Sequence, residues 1–371
     1  MLIHMDGFDE YATGTDLSFQ YTASEMNVGT TSGRFGQGGI SAGSNNAYIH
    51  KLFNVNYTEV WTGMAFTISD EGGYGWNDNA PGVVAIGDKS IFIFTSNGGY
   101  FDDYYGIVEG YVTYNALLGT WKFMRCTNIV NLLPALVAVG SYNVSQNNWH
   151  WLDVHYKPSL ASGTIEIYID GNKVISTSGV QTSCWQNNIN GIYIGTPGGL
   201  NGGPYNNAIG GVFDDWYILD ATTGTYNTSG IGDSRIFTLV PNRDAGPNNG
   251  VPSSGTNHYT MVDEPQNDGL TTYITIQGIS GQEELFGTTT LPTTPTNIWA
   301  TRVLNIVEQT AGGVIAANAI VVSHGVEAQG PSTPLLSVFF NQFGIFETDP
   351  ATGVPWTYSN VNIAEVGIVI A

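Results

Sequence analysis

The fold of this chain is decided by residues 164–175, which read TIEIYIDGNKVI. Isoleucines occupy every second position of the first half, so their side chains lie on one face of a β-strand. The strand runs into Asp170-Gly171, a dipeptide typical of two-residue hairpin turns, after which a second strand begins. The stretch therefore predicts an antiparallel β-hairpin with one buried face.

Similar short runs, separated by Gly, Asn and Asp, lie on both sides of this hairpin. Met5–Tyr11 and Gly211–Leu219 resemble each other and bracket this part of the chain, so we expect the first and last strands to pair. Helical periodicity is scarce, and the pattern predicts an all-β sandwich. Its other strands are expected at residues 47–52, 61–68, 83–86, 91–95, 149–156 and 192–195.

The length of 371 residues fits two domains. A polar connector rich in Thr, Gly, Asn and Ser follows the last bracketing strand. We therefore expect a first domain at 1–222, a linker at 223–231 and a second β-sandwich at 232–371. In the second domain we expect strands at 234–240, 272–277, 298–307, 314–324, 335–343 and 365–370, and a polar loop at 241–255.

The charge balance narrows the range of partners. Ten Lys and Arg stand against 31 Asp and Glu, a formal net charge of −21, so binding to nucleic acid is not expected. Apolar runs are too short to span a bilayer, and the N-terminus does not resemble an export signal. Cys126 and Cys184 are expected as free thiols, with a disulfide as the open alternative.

Candidate binding residues stand in two groups. Trp76, Tyr100, Asp102 and Tyr104 place rings beside polar side chains in expected loops, where they could bind a glycan. The alternative for these rings is burial against a neighbouring subunit.

Asp6 and Asp214 lie on bracketing strands that are expected to be neighbours, where they could hold Ca²⁺. The alternative is that these carboxylates accept backbone N–H groups at turns, and then no cofactor is needed.

Catalysis finds little support in the sequence. A glycoside hydrolase needs two carboxylates facing one cleft, whereas Asp102-Asp103, Asp214-Asp215 and Glu283-Glu284 are adjacent and point to opposite sides of a strand. The six histidines are scattered without the spacing of a zinc site. We therefore expect no enzyme and assign no catalytic residue.

Residues 149–174 and the two bracketing strands resemble the concanavalin A-like (laminin G-like) jelly-roll superfamily. The resemblance implies an all-β fold, with an N-terminal concanavalin A-like jelly-roll sandwich followed by the second β-sandwich domain. It also implies a concave face that often binds carbohydrate. Retaining glucanases of this superfamily carry a Glu-x-Asp-x-x-Glu strand, and this sequence has none.

The second half resembles a module of virion structural proteins from tailed bacteriophages. The motifs that carry this resemblance are Gly232–Arg235, Pro241–Gly246, Val262–Glu264, Asn267–Gly269 and Asp349–Gly353. It implies a non-enzymatic component of the tail, baseplate or capsid surface. Such a component would be assembled in the host cytoplasm, form a homo-oligomer and pack against other phage virion proteins. The alternative is an adhesin that binds a host surface glycan, and the third is a free carbohydrate-binding or glycoside hydrolase protein.

Overall fold

The computed structural model describes residues 1–24, 26–42, 47–68, 88–96, 107–127, 134–195, 210–224, 229–266, 268–310, 312 and 315–371. The chain divides into two compact units, residues 3–235 and residues 236–371. Nearly all regular structure in the described residues is β-strand. None of their helices is long and apolar enough to cross a membrane.

The first unit is built from strands and one short 3-10 helix, Asp16–Phe19. Its described strands are β1 (Leu2–Asp6), β2 (Thr22–Ser24), β3 (Met26–Gly29), β4 (Gly39–Ala42), β5 (Tyr48–Tyr57), β6 (Val60–Phe66), β7 (Asp88–Ser96), β8 (Ile107–Asn115), β9 (Thr120–Cys126), β10 (Pro134–Ser141), β11 (His150–Lys157), β12 (Gly163–Ile169), β13 (Asn172–Val180), β14 (Ile189–Gly195) and β15 (Val212–Asp220).

These strands form two sheets that enclose one apolar core. Sheet I has the order β13-β12-β11-β6-β15-β4-β3, with β1 paired to β15, and sheet II has the order β10-β9-β8-β7-β14-β5-β2. Side chains from both sheets, among them Phe66, Trp121 and Trp216, are fully buried between them. The unit is the predicted jelly-roll sandwich, and the first and last strands pair as expected.

The hairpin at residues 164–175 has the predicted geometry. Its three isoleucines on β12 are buried in the core, and Ile167 lies opposite Ile175 of β13. Asp170 and Gly171 have φ values of 50° and 76°, the left-handed region that a two-residue turn requires and that Asp and Gly tolerate. The Asp170 carboxylate also accepts the backbone N–H of Trp151 at 2.8 Å, which ties the turn to β11.

Local sequence patterns do not predict three neighbouring strands of sheet II, β8, β9 and β10. All residues of β8 are buried, so both of its faces are covered and its sequence does not alternate between apolar and polar side chains. β9 and β10 were likewise not predicted. The strand expected at 83–86 lies outside the described residues, whereas the one expected at 91–95 lies within β7.

The second unit contains shorter strands, one helix and one 3-10 turn. Among the described residues these are β16 (Pro241–Asn248), β17 (Val251–Pro252), β18 (Ile274–Thr275), β19 (Glu283–Thr288), β20 (Thr301–Val307), β21 (Ala316–Ser323), β22 (Val326–Gln329), β23 (Thr333–Pro334), β24 (Phe340–Phe346), β25 (Glu365–Ile370), α1 (Tyr358–Ile363) and the turn Tyr259–Met261.

The second unit is also a two-layer β structure. Its larger sheet has the order β16-β19-β25-β21-β22, with β23 paired to β21, and β20 and β24 form a separate ladder. Val303 of β20 and Phe346 of β24 bury their side chains in one cluster with Ala319 and Val321 of β21. Trp356 belongs to the same cluster, and its indole N–H donates to the carbonyl of Phe346 at 2.9 Å.

The start of the second unit differs from the sequence expectation. Residues 234–240 were expected as a strand and belong to no ladder, whereas the expected loop at 241–255 contains β16. Pro241 and Pro247 of β16 lack a backbone N–H, which favoured the loop interpretation. Because β16 is the edge strand of its sheet and pairs only with β19, the missing donors are tolerated.

Candidate functional site

The face of sheet II that points away from the core carries a row of large side chains across five neighbouring strands. The cross-strand partners run from His50 on β5 to Tyr193 on β14, Ile93 on β7, Tyr111 on β8 and Met124 on β9. We call these five residues the outer row. Neighbouring strand positions such as Ile192 and Phe92 point into the core instead.

The outer row is buried although it lies outside the core. Tyr193, Ile93, Tyr111 and Met124 belong to a separate apolar cluster, and His50 is 1% exposed. A sheet face that only met solvent would carry small polar side chains, because alternating strands place apolar residues on one face. Two phenols and one imidazole therefore lie on this face, although neither contact with solvent nor packing of the sandwich core requires them there.

His50 and Tyr193 form the closest ring pair of the row. Their ring centroids are 3.7 Å apart and their planes differ by 7°. Gly191 makes room for this stack, because a Cβ at that position would lie 2.4 Å from Nε2 of His50 and 2.9 Å from Oγ1 of Thr95. The Thr95 hydroxyl lies 3.5 Å from the same Nε2.

The imidazole of His50 is uncharged near neutral pH. Burial lowers the pKa of His50 from its ordinary value of 6.5 to about 3. In the described structure its Nδ1 atom has no hydrogen-bond partner. His50 is therefore a neutral group with a free hydrogen-bonding position, and buried polar atoms of this kind are uncommon enough to call for an explanation.

Trp185 lies between β13 and β14, and its side chain is 50% exposed. The residue before it, Cys184, packs against the buried cluster that contains most of the outer row. Neither Cys184 nor Cys126 forms a disulfide in the described structure, as expected. The exposed ring of Trp185 therefore directly follows a residue that packs against the cluster containing Tyr111 and Tyr193.

A buried carboxylate holds the loop that presents Trp185. Glu109 of β8 accepts the backbone N–H groups of Cys184, Trp185 and Gln186 at 2.8, 2.8 and 2.9 Å, and the hydroxyl of Ser96 at 2.6 Å. Burial raises the pKa of Glu109, and these four donors partly offset that effect. Three consecutive N–H groups on one carboxylate fix the backbone of the loop, so the indole is presented from a rigid support.

The four glycan-binding residues predicted from the sequence cannot be compared with this site. Trp76 lies between β6 and β7 in the sequence, and Tyr100, Asp102 and Tyr104 lie between β7 and β8. All four are outside the described residues.

Asp6, one of the two predicted calcium ligands, is occupied by protein donors. Its carboxylate accepts the N–H of Phe8 and the hydroxyl of Tyr11, each at 2.8 Å, and the hydroxyl of Tyr21 at 2.5 Å. A calcium ion would have to displace these donors.

The carboxylate of Asp214, the other predicted calcium ligand, is also occupied by protein donors. Its carboxylate accepts the N–H groups of Arg34 and Asp215, both at 2.7 Å. Burial and the charge of Asp215 raise the pKa of Asp214. Within the described part of the chain, no three His, Cys, Asp or Glu residues are grouped so that they could hold a metal ion.

Sequence reasoning missed the outer row and Trp185. Alternation in β14 places Tyr193 opposite in direction to Ile192 and Ile194, which is a signal that the sequence does contain. What the sequence does not show is the pairing of β14 with β5 and β7, because these strands are far apart along the chain.

Comparisons with known proteins give similar folds at low identity. No family model and no curated protein matches this chain. It is similar to endo-β-1,4-glucuronan lyase from the fungus Trichoderma reesei (13% identity, 59% of this chain, 95% of that chain, TM-score 0.40). Others are the carbohydrate binding module CBM66 from Bacillus subtilis (14%, 53% and 93%, TM-score 0.32) and basic winged bean lectin (9%, 58% and 97%, TM-score 0.33).

These comparisons correct the expectation of a phage structural protein that acts by subunit packing. The structures to which the chain is similar include polysaccharide lyases, a carbohydrate binding module and a lectin, and they give no support to a phage origin. One of the motifs behind that expectation has an ordinary structural role. Asp349–Gly353, for example, is a turn in which the Asp349 carboxylate accepts the N–H of Ala351 at 2.9 Å. Turn sequences of this kind occur in many unrelated β proteins.

Proposed function

We propose that the first unit binds a glycan, without covalent chemistry, at the exposed ring of Trp185. The observation that carries the proposal is the half-exposed Trp185, held by Glu109 beside the outer row. Aromatic rings pack on the apolar faces of sugar rings, while nearby polar groups bond the hydroxyls.

The exposed part of Trp185 sets the size of the expected effect. A tryptophan side chain buries roughly 200 Å² when fully covered, so covering its exposed half removes about 100 Å² from water. At about 25 cal/mol per Å², this contributes about 2.5 kcal/mol, or about 60-fold in Kd. Trp185→Ala should therefore weaken glycan binding by roughly 10- to 60-fold.

The test is a screen of the intact chain on a glycan array, followed by calorimetric titration of the best ligand. Trp185→Ala keeps the backbone N–H that Glu109 accepts, so the loop should stay in place. Tyr273→Ala is the matched control, because it removes an aromatic ring of similar exposure, 44%, from the second unit. Binding that survives in Trp185→Ala, or no binding to any glycan, would refute the proposal.

The loop residues predicted from the sequence offer a second test of location. Trp76→Ala and Tyr104→Ala should weaken binding if those rings extend the same site. If they abolish binding while Trp185→Ala leaves it intact, the glycan is bound by the loops and the site at Trp185 is wrong.

The proposal is for binding without catalysis and without a resident metal ion. Glu109 is buried, and its two oxygen atoms accept four donors, so it is poorly placed to exchange a proton with a ligand. Prolonged incubation with the bound glycan should release no new reducing ends and no unsaturated sugars, with or without a chelator. Either product would show that the protein is an enzyme. The virion location and the homo-oligomer expected from the sequence stay predictions.

A further inference from the structure

Strand β10 is one edge of sheet II, and its outer side has no strand partner in the described structure. It pairs with β9 alone, along the whole of Pro134–Ser141. In an antiparallel pair, backbone N–H and C=O groups point alternately towards the partner and away from it. Within the described part of the chain, no other hydrogen bond is made to the backbone of these eight residues. The outward-pointing groups of β10 can therefore pair with a further strand.

The side chains of β10 divide into a buried pair and an exposed pair. Val137 and Ala138 pack against the core. Leu136 and Val139 lie opposite Met124 and Lys122, which are two positions apart on β9, so both point to the outer face. Their side chains are 46% and 55% exposed. One register shift, between Leu136 and Ala138, brings these two apolar side chains to the same face, and residues 138–141 continue as a regular ladder.

The core side of β10 is closed by sheet I. Gly140 lies opposite Trp121, a core residue, and a Cβ at Gly140 would be 2.1 Å from the carbonyl oxygen of Val174 on β13. β13 therefore packs tightly across the inner side of β10 without pairing with it. A partner can reach β10 only at its free edge and on its outer face.

The other edge strands of the two sheets are protected against pairing, whereas β10 is not. β2 has three residues and β3 has four, so both are short. β13 is longer, but it carries Lys173 in a salt bridge with Glu166, and its ladder with β12 has two register shifts. Short length, charge and irregular backbone are the devices by which native proteins prevent contacts between sheet edges. β10 has eight residues, no charge and one register shift.

The charge pattern favours a second copy of this chain as the partner. Residues 127–149, which contain β10, include no Asp, Glu, Lys, Arg or His, although the chain has a formal net charge of −21. Two copies repel each other at most orientations, and an uncharged edge is a place where they can come into contact without juxtaposing like charges. Antiparallel pairing of β10 with β10 is also self-complementary, as a two-fold axis requires.

We infer that two copies of this chain associate through β10, so that sheet II continues from one copy into the other across a two-fold axis. The new backbone hydrogen bonds satisfy the free edge, and Leu136 and Val139 are covered on the outer face. The inference is independent of the proposed glycan binding. It assigns a surface to the homo-oligomer that the sequence leads us to expect.

The size of this surface indicates a weak dimer. One strand and its neighbouring side chains bury less than the roughly 1,200 Å² of total area that stable complexes need, so we expect a Kd of roughly 1–100 µM. Salt should strengthen the dimer, because it screens the repulsion between two copies of charge −21 and no ion pair is formed across β10.

The test is sedimentation velocity of the full chain over protein concentrations from about 1 to 200 µM, at 20 and 300 mM NaCl, with a reductant that keeps Cys126 and Cys184 from cross-linking copies. Val139→Glu places a carboxylate on the edge and should raise the Kd at least tenfold. Val55→Glu on β5 is the matched control, because Val55 is 56% exposed and the change in charge is the same. The control should dimerise as the wild type does.

Hydrogen exchange locates the contact on the backbone. Amides of β10 should exchange more slowly at 200 µM than at 1 µM, whereas those of β13, the edge of sheet I, should exchange equally at both concentrations. Leu136→Glu serves as a second disrupting variant, and urea midpoints equal to that of wild type would show that both variants keep their fold.

Three results would overturn the inference. The first is a monomer at every concentration and salt level. The second is a dimer that Val139→Glu and Val55→Glu weaken equally, because the contact would then lie elsewhere. The third is open-ended growth beyond the dimer, which a closed two-fold contact does not allow. Capture of an extended segment of another protein by β10, with the chain itself monomeric, would likewise replace the second copy as the partner.

Discussion

Acidification from pH 7 to pH 5 should destabilise the first unit through His50. The imidazole is buried against Tyr193, and burial lowers its pKa in the folded protein to about 3, compared with 6.5 ordinarily. Because the folded pKa lies below the unfolded one, stabilisation by neutral His50 is complete above about pH 6.5. It is lost progressively as the pH falls towards 3.

The magnitude at pH 5 follows from the unfolded state. At pH 5, folded His50 is still neutral. In the unfolded chain His50 is protonated, because pH 5 is 1.5 units below its ordinary pKa of 6.5. At about 1.4 kcal/mol for each unit, the free energy of unfolding should fall by about 2 kcal/mol between pH 7 and pH 5.

The assay is urea denaturation of the wild type and of His50→Gln at pH 7, 6 and 5, and tryptophan fluorescence reports the extent of unfolding. Seven of the nine tryptophans, at positions 61, 76, 121, 149, 151, 185 and 216, lie in residues 1–235, so the signal reports mainly the first unit. Glutamine does not titrate, and therefore the difference between the two proteins isolates His50 from other groups. The variant should lose about 2 kcal/mol less than wild type.

A second histidine variant controls for the loss of an imidazole as such. His324 is exposed in the second unit and has φ 48°, a conformation that Asn tolerates, so His324→Asn should follow the wild-type pH dependence. If wild type and His50→Gln differ by the same free energy at pH 7 and pH 5, within about 0.5 kcal/mol, then the burial argument for His50 is wrong.

Three further substitutions test other parts of the first unit. Gly191→Ala places a Cβ against His50, so it should lower the free energy of unfolding by about 1–3 kcal/mol in the same urea assay; an unchanged midpoint would contradict the close packing. Burial raises the pKa of Asp153 to about 6, above its unfolded value of 3.8, so its contribution to stability is greatest below pH 3.8 and is lost as the pH rises to 6. Asp153→Asn should keep the hydrogen bond that Tyr217 donates. The variant should raise the free energy of unfolding at pH 7.5 by up to about 3 kcal/mol and change it little at pH 3.5. A variant that is less stable than the wild type at pH 7.5 would refute this prediction. Glu109→Gln places an amide N–H2 group where a carboxylate oxygen accepts backbone N–H groups. The free energy of unfolding should therefore fall by about 1–3 kcal/mol, and proteolysis of the adjoining loop should be faster. Equal proteolysis rates in the variant and the wild type would show that Glu109 does not anchor the loop.

The bracketing strands and the hairpin at residues 164–175 show what local patterns could establish. Apolar side chains at every second position predict which face of β12 is buried, and Asp170-Gly171 predicts the turn, because both signals depend only on neighbours in the sequence. The same reasoning failed for β8, where burial of both faces removes the alternation. It also failed for β16, where prolines in an edge strand resemble a loop.

The sequence by itself determined the all-β class, the pairing of the first and last strands of the sandwich, and a surface with few cations. The tertiary structure decided the candidate site, because His50, Tyr193 and Tyr111 become neighbours only when strands distant in sequence pair. It also decided how Glu109 anchors Trp185, a contact between residues 76 positions apart. Alternation is a local property of a strand, whereas the order of strands in a sheet is set by packing of the whole core, and a binding face is assembled from that order.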